Sequence, residues 1–489
     1  MMADERFAPD DSRPRRSDRF VPWLLAATAA APRLVGLGLR PLHHDEGTNW
    51  IFLLRLLRER IYQYDPANYH GPLFYYLGVL PLALFGATPV TLRIVPGLLG
   101  MALAPLAWCL RREMGRFGAL AAALLLALSP SLVYYSRDAI HEIELVFLTL
   151  LLAVAVLRAF RSGRDSWWMI AGVAAGGVVA TKEVYPLVFG SLFLAAALSR
   201  PERRKGRRAA QVLAFCVPAV LVASAFYSRF FTDLEALSGP ARALRLWGAR
   251  AAGGDGHTKA WWYFLGILAR QEGAILFPAL AGAVIALWRR SRSALFFLVW
   301  AGLTLAAYSS VAYKTPWLVL NMALPLALLA GVAFDAAWRM RPAARFRPAV
   351  ALALAIAAGA SLRQAIIVSF LRYDDEAMPL VYVQTSRQAL KLVERVEDAA
   401  GRTSEGHALP IEILSPDYLP LNWYLRDFTR VAYFGHLIDH PGAPIVIARS
   451  DGADEVAGRL GPGYGRADYD LRQGVRLALF VRRDLAPGL

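Results

Sequence analysis

Runs of about twenty apolar residues recur along most of this chain, and they leave it little choice of fold. In hydrocarbon, only a helix satisfies all of its own backbone N–H and C=O groups within one segment. The runs are Val21–Leu39, Thr91–Leu110, Phe117–Tyr134, Ile140–Phe160, Trp167–Thr181, Val184–Leu198, Ala209–Phe226, Gly273–Leu287, Ala294–Val311, Trp317–Ala336 and Pro348–Phe370. A 489-residue chain that is 56% hydrophobic, with mean hydropathy +0.38, reads as a polytopic α-helical membrane protein.

The net charge of +16 does not argue for nucleic acid, because the basic residues sit in short patches between the runs. The patches are "RPRR", "RREMGR", "RSGR", "RPERRKGRR", "WRRSRS" and "WRMRPAARFR". A twelfth apolar stretch, "GPLFYYLGVLPLALFG" from Gly71, decides the topology. If it crosses the membrane, the later patches fall outside. If it is interfacial or re-entrant, every patch falls inside, which is the expected bias. That choice gives about eleven spans, with residues 1–20 a disordered cytoplasmic tail and 21–370 the membrane domain. The two cysteines, Cys109 and Cys216, lie in apolar runs, so neither a disulfide nor a thiolate metal site is expected.

The same parity puts "HHDE", "YYSRDAIHE", "TKEVY", "GGDGHTKAWWYF" and "YKTPW" on the outer face of a cell (inner) membrane. All eight histidines fall there too, as do three of the five lysines, Lys182, Lys259 and Lys314. Between the first two spans runs a long outer loop, 43–89. Its "TNWIFLLRLLRERIY" forms an amphipathic surface helix with Trp50, Ile51, Leu54, Leu57 and Ile61 on one stripe. Beyond Phe370 the composition changes to a soluble α/β domain, 371–489, expected on the exterior face. Strands are expected in "PLVYVQTS", "IEILSPDY", "RVAYFG", "APIVIARSD" and "RLALFVRRD", and a helix in "RQALKLVERVEDAAG".

Ionisable groups at a membrane mouth are costly unless used or paired, and here they sit at helix ends rather than at mid-membrane. Asp45 and Glu46 are adjacent and cannot point the same way, so one suits a general base and the other an orienting or ion-binding role. The cell exterior supplies no nucleotide sugars, so an activated sugar has to arrive on a lipid. Its leaving phosphate calls for Arg137, Lys182, Lys314 or a divalent ion. A carboxylate next to histidine makes His44, Glu46 and His141 a candidate metal set, with Mg, Mn or Zn as the candidate ion.

The ordered set "HHDEGTNW", "YDPANYHGPLFYYL", "YYSRDAIHE", "TKE", "YKTPW", "VYVQTS" and "WYLRDF" resembles the GT-C superfamily of membrane glycosyltransferases over nearly the whole chain. That superfamily includes protein O-mannosyltransferases and aminoarabinose transferases, and the set is most similar to the subgroup named for association with flippase activity. The resemblance implies a GT-C-like fold, a polyprenyl-phosphate-sugar donor, and a glycan, lipid or protein acceptor within the membrane lipids. It implies Asp45 as catalytic base with Glu46 beside it. Donor or substrate contacts fall on Arg137, Asp138, Glu142, Lys182, Lys314, His70 and Tyr69. Direct displacement would invert the anomeric centre. The alternative is a non-catalytic partner that flips or presents lipid-linked glycans.

Overall fold

Proline, serine and buried charge interrupt several of the apolar runs, and those interruptions shape the membrane part of the protein. A computed structural model describes residues 16–68, 70–200, 208–251, 257–340 and 343–486. Most of the N-terminal tail and most of "RPERRKGRR" lie outside these residues. Two compact units emerge: residues 1–37 with 55–371, and residues 38–54 with 372–489.

Among the described residues of the first unit six helices are long and apolar enough to cross a membrane: Pro89–Trp108, Glu142–Ser162, Arg208–Tyr227, Arg292–Ser310, Pro316–Arg339 and Arg347–Leu371. A seventh span results if Tyr263–Gln271 and Gly273–Arg289, bent by 109°, count as one. The protein is thus a multi-span membrane protein with six to seven long apolar spans. The expected run Val21–Leu39 is helical only over Val21–Leu34, and Gly36 (φ 60°) lies in the turn that follows. The expected run Phe117–Tyr134 is broken into Arg116–Leu128 and Pro130–Tyr135. The break sits at Ser129, whose hydroxyl accepts the Leu132 N–H and caps the second piece. The ambiguous stretch after Gly71 is a helix over Leu73–Phe85. Its 13 residues reach only about 20 Å, against roughly 30 Å of hydrocarbon.

Small residues set the closest helix contacts. Helix Asp165–Thr181 packs on Arg208–Tyr227. A Cβ at Gly172 would stand 2.2 Å from the Phe215 carbonyl oxygen, and one at Gly176 would stand 2.5 Å from that of Ala219. This four-residue spacing of glycines lets two membrane helices approach backbone to backbone.

The second unit holds a five-stranded sheet in the order β2-β1-β3-β5-β4. The strands are β1 (Ile411–Ile413), β2 (Val431–Tyr433), β3 (Ile445–Arg449), β4 (Tyr464–Arg472) and β5 (Val475–Arg482). β1 runs parallel to β2 and β3, whereas β5 pairs antiparallel with β3 and β4. Period-two alternation divides the core between the two faces. Ile411, Ile413, Ile445, Ile447, Leu477 and Leu479 meet helix Arg387–Gly401 through Ala389, Leu392 and Val396. Val446, Ala448, Ala478 and Phe480 meet helix Ala453–Leu460 on the other face.

Two sequence expectations need correcting here. "PLVYVQTS" is not a strand, because its polar groups are tied to residues 41–43: the Tyr382 carbonyl meets His43 Nε2 and Gln384 Nε2 donates to the Pro41 carbonyl. β4 went unanticipated because Arg466, Asp468 and Asp470 mask its alternation. It is an edge strand carrying charge on its open side.

Candidate functional site

The "RPLHHDEGTNW" segment turns from extended chain into helix His44–Glu59 at its second histidine. Glu46 reaches back and accepts the His43 backbone N–H through Oε2 at 2.7 Å, which places negative charge at the helix start. The Asp45 N–H donates to His43 Nδ1 at 3.0 Å, so that nitrogen carries no proton. The proton lies on Nε2, which donates to the Tyr382 carbonyl at 2.8 Å. The two carboxylates therefore differ in kind. Glu46 is fully buried, while Asp45 keeps part of its surface open.

A shelf built from residues 417–424 supports this turn. Asn422 Nδ2 donates to the Gly47 carbonyl at 2.8 Å, and the Leu42 N–H donates to the Tyr424 hydroxyl at 2.8 Å. Trp50 and Trp423 meet edge to face with ring centroids 4.6 Å apart. A Cβ on Gly47 would lie 2.8 Å from both Cα and Cβ of Pro420, so no side chain fits at that position. Beside the shelf, Arg472 pairs with Asp417 at 2.7 Å and donates to the Leu419 carbonyl at 3.0 Å. Arg449 holds the other Asp417 oxygen at 2.6 Å.

Asp45 is near enough to His44, Arg472 and Tyr382 to bias their ionisation. Burial pulls the His44 pKa from 6.5 to about 4, with Asp45 opposing the shift. Burial likewise lowers Arg472, with Asp417 opposing. No local pattern announces Arg472 or Asp417, and a separation of 382 residues hides the partnership of Tyr424, in "WYLRDF", with Leu42.

The first unit gathers a second cluster. Gly71 donates its N–H to the Thr181 carbonyl at 3.0 Å, seating His70 against the turn that carries Lys182 and Glu183. His70 Nδ1 lies 2.9 Å from Glu183 Oε2, and the buried Lys182 ammonium is ion-paired with Glu142. The His141 ring sits 4.7 Å from that of His70 and 4.4 Å from that of Phe74. His70, His141, Glu142, Lys182 and Glu183 therefore meet in one place. Asp138 is buried as well, and its carbonyl accepts the Ile140 N–H at 3.0 Å in a tight turn.

Other expected residues have different partners. Arg137 is fully buried. Its Nη1 donates to the carbonyls of Pro32, Arg33 and Val35, and its Nη2 to that of Gly36, so it closes the C-terminus of helix Val21–Leu34. Lys314 donates to the carbonyls of Lys259 (3.2 Å) and Val311. Both side chains are thus engaged by main-chain carbonyls. Tyr69 lies outside the described residues. Of the metal candidates, His44 and Glu46 belong to one unit and His141 to the other. Among the described residues no group of three or more His, Cys, Asp or Glu side chains is placed to hold a metal ion.

The sequence also missed Glu272, at the 109° helix bend. It is fully buried, and its Oε1 accepts from Ser129 Oγ (2.7 Å), Ser131 N (2.8 Å) and Ser131 Oγ (2.5 Å).

Residues 69–228 match the family model described as dolichyl-phosphate-mannose-protein mannosyltransferase. No curated protein sequence matches the chain. Among solved structures, ArnT from Cupriavidus metallidurans in the apo state aligns with TM-score 0.68 at 16% identity, covering 95% of this chain and 98% of that one. The same protein bound to undecaprenyl phosphate aligns with TM-score 0.63 at 16% identity, covering 96% and 99%. The Archaeoglobus fulgidus oligosaccharyltransferase tethered to an acceptor peptide aligns with TM-score 0.56 at 15% identity, covering 86% and 64%. The resemblance to GT-C membrane glycosyltransferases thus holds for the fold along almost the whole chain.

Proposed function

We propose that the protein is a membrane glycosyltransferase that moves a sugar from a polyprenyl-phosphate donor to an acceptor hydroxyl, with inversion at the anomeric carbon. The observation that carries this reading is the split between the two adjacent carboxylates. Asp45 is accessible at a helix start, while Glu46 is buried and holds the turn. An accessible carboxylate with a fixed backbone can take the acceptor's proton as its oxygen attacks the anomeric carbon. Glu46 is a positioning residue in this scheme, because its carboxylate is engaged by the chain itself. Arg472, locked by Asp417 and the Leu419 carbonyl, supplies fixed positive charge near Asp45.

The donor phosphate is assigned to the cluster around His70 and Lys182, where a cation can exchange its Glu142 partner for the leaving group. The undecaprenyl phosphate bound to the similar ArnT supports a lipid-linked donor. The described residues do not fit a metal ion, so no step is routed through one. The active face and the second unit are assigned to the exterior by the placement of the basic patches.

One observation favours the alternative of a non-catalytic partner that presents a lipid-linked glycan. Arg137 and Lys314, two of the cations expected at the donor phosphate, are engaged by main-chain carbonyls. Purified protein in lipid, given radiolabelled polyprenyl-phosphate mannose, glucose or aminoarabinose, separates the two. Turnover in the wild type that disappears in an equally stable Asp45→Asn variant is expected for the transferase. Donor binding in both proteins without turnover of any donor would refute it.

A further inference from the structure

The connection that follows helix Arg208–Tyr227 has a backbone its residue types do not favour. Arg229, Phe230 and Phe231 take consecutive φ values of 53°, 56° and 67°, a left-handed region that L side chains rarely adopt. The turn is nonetheless well fastened. The Phe231 N–H donates to Ser228 Oγ at 2.9 Å, the Asp233 N–H to the Ser228 carbonyl at 2.9 Å, and Arg229 is ion-paired with Asp233. Phe230 and Phe231 are 57% and 51% exposed, and the inner edge of the Phe230 ring rests on Tyr76 and Phe226, with centroids 5.2 and 5.6 Å away. Leu234 and Leu237 follow, also exposed.

Directly afterwards comes helix Gly239–Ala251, "GPARALRLWGARA", which carries no acidic residue. Its start is held close to the protein, since a Cβ on Gly239 would lie 2.5 Å from the Tyr64 ring. Ala243 is buried and Leu244 and Trp247 are half-buried, so one side faces the protein. The opposite side presents Arg242 and Arg245, with Leu246 exposed beside them. Among the described residues of this segment, Asp233 is paired with Arg229 and Glu235 is exposed one turn before the helix.

We propose that residues 228–251 dock on the headgroups of anionic phospholipids in the surrounding bilayer. The position fits, because the segment begins where a 20-residue apolar helix ends, at the level where acyl chain gives way to headgroup. The exposed phenyl and leucyl groups enter the acyl boundary and the arginines meet lipid phosphates. A purely solvent-facing connection would have no use for two exposed phenyl groups held in a rarely adopted backbone. The proposal is independent of the reaction the protein performs.

The test uses the full-length protein in nanodiscs of phosphatidylcholine alone or with one quarter phosphatidylglycerol, read as the rise in Tm caused by the anionic lipid. Arg242→Gln/Arg245→Gln is expected to lose at least half of that rise and to melt as wild type does in phosphatidylcholine. Phe231→Gly relieves the left-handed backbone and spares the Phe230 ring contacts, so it should melt no lower in phosphatidylcholine while also losing part of the rise. An undiminished rise in both variants overturns the proposal. So does a rise produced by undecaprenyl phosphate in phosphatidylcholine and not by phosphatidylglycerol, which would assign the arginines to the lipid donor.

Discussion

At the scale of single residues, adjacent carboxylates acquire different work from one hydrogen bond. Glu46→Gln keeps the shape of the turn but weakens its charge-assisted bond to the His43 N–H, at a cost of about 1–2 kcal/mol of stability in thermal unfolding. Asp45→Asn should leave unfolding unchanged within about 0.5 kcal/mol while abolishing turnover, because Asp45 is partly exposed and its carboxylate serves the reaction. Equal loss of stability in both variants would refute the division of labour. His44 adds a pH dependence. Its folded pKa of about 4 lies below the ordinary 6.5, so the unfolded chain binds the extra proton between those values. Stability is expected to fall as pH drops from about 6.5 towards 4, and His44→Gln should flatten that part of a Tm-against-pH curve. The acidic pair, the histidines and their place after the first helix are legible in the sequence, because composition and spacing carry them. The buried state of Glu46 is not, since it depends on partners that no local pattern announces.

At the scale of elements, close approach decides what the chain tolerates. Gly47→Ala places a methyl group against Pro420 and should destabilise the second unit by about 2 kcal/mol or more, seen as a lower first transition in thermal unfolding. A neutral outcome would mean that the 417–424 shelf yields easily. Glu272 works differently, joining two interrupted helices through Ser129 and Ser131. Glu272→Ala strands those donors and should cost about 1–3 kcal/mol, with Glu272→Gln costing less. Long apolar runs such as Glu142–Ser162 and Arg347–Leu371 are readable from hydropathy alone. Breaks at Ser129 and Glu272 are not, because hydropathy averages over a window and a single polar residue barely moves it. β4 was hidden for a related reason: on an edge strand, charged side chains replace the apolar alternation that marks interior strands.

At the scale of the whole molecule, charge between spans predicts orientation. In a chain lacking Cys109 and Cys216, a cysteine introduced at exposed Gly458 should react with a membrane-impermeant maleimide added outside intact cells. Labelling only after lysis would reverse the assigned topology. Hydropathy alone does not fix the number of spans, because helices such as Leu73–Phe85 and Tyr185–Ser199 are apolar yet shorter than the hydrocarbon layer.

The second unit is assembled from residues 38–54 and 372–489, so its first piece is synthesised more than three hundred residues before its last. During that interval the "HHDE" turn has neither Asn422, Tyr424 nor Trp423 to rest on. Closing so long a loop is entropically slow and comes late in folding. A stalled or truncated chain can thus insert its helices and still carry a carboxylate pair with no fixed geometry. On the proposed function, completion of the C-terminus is a licensing step, and a half-made protein in the membrane would be silent by construction.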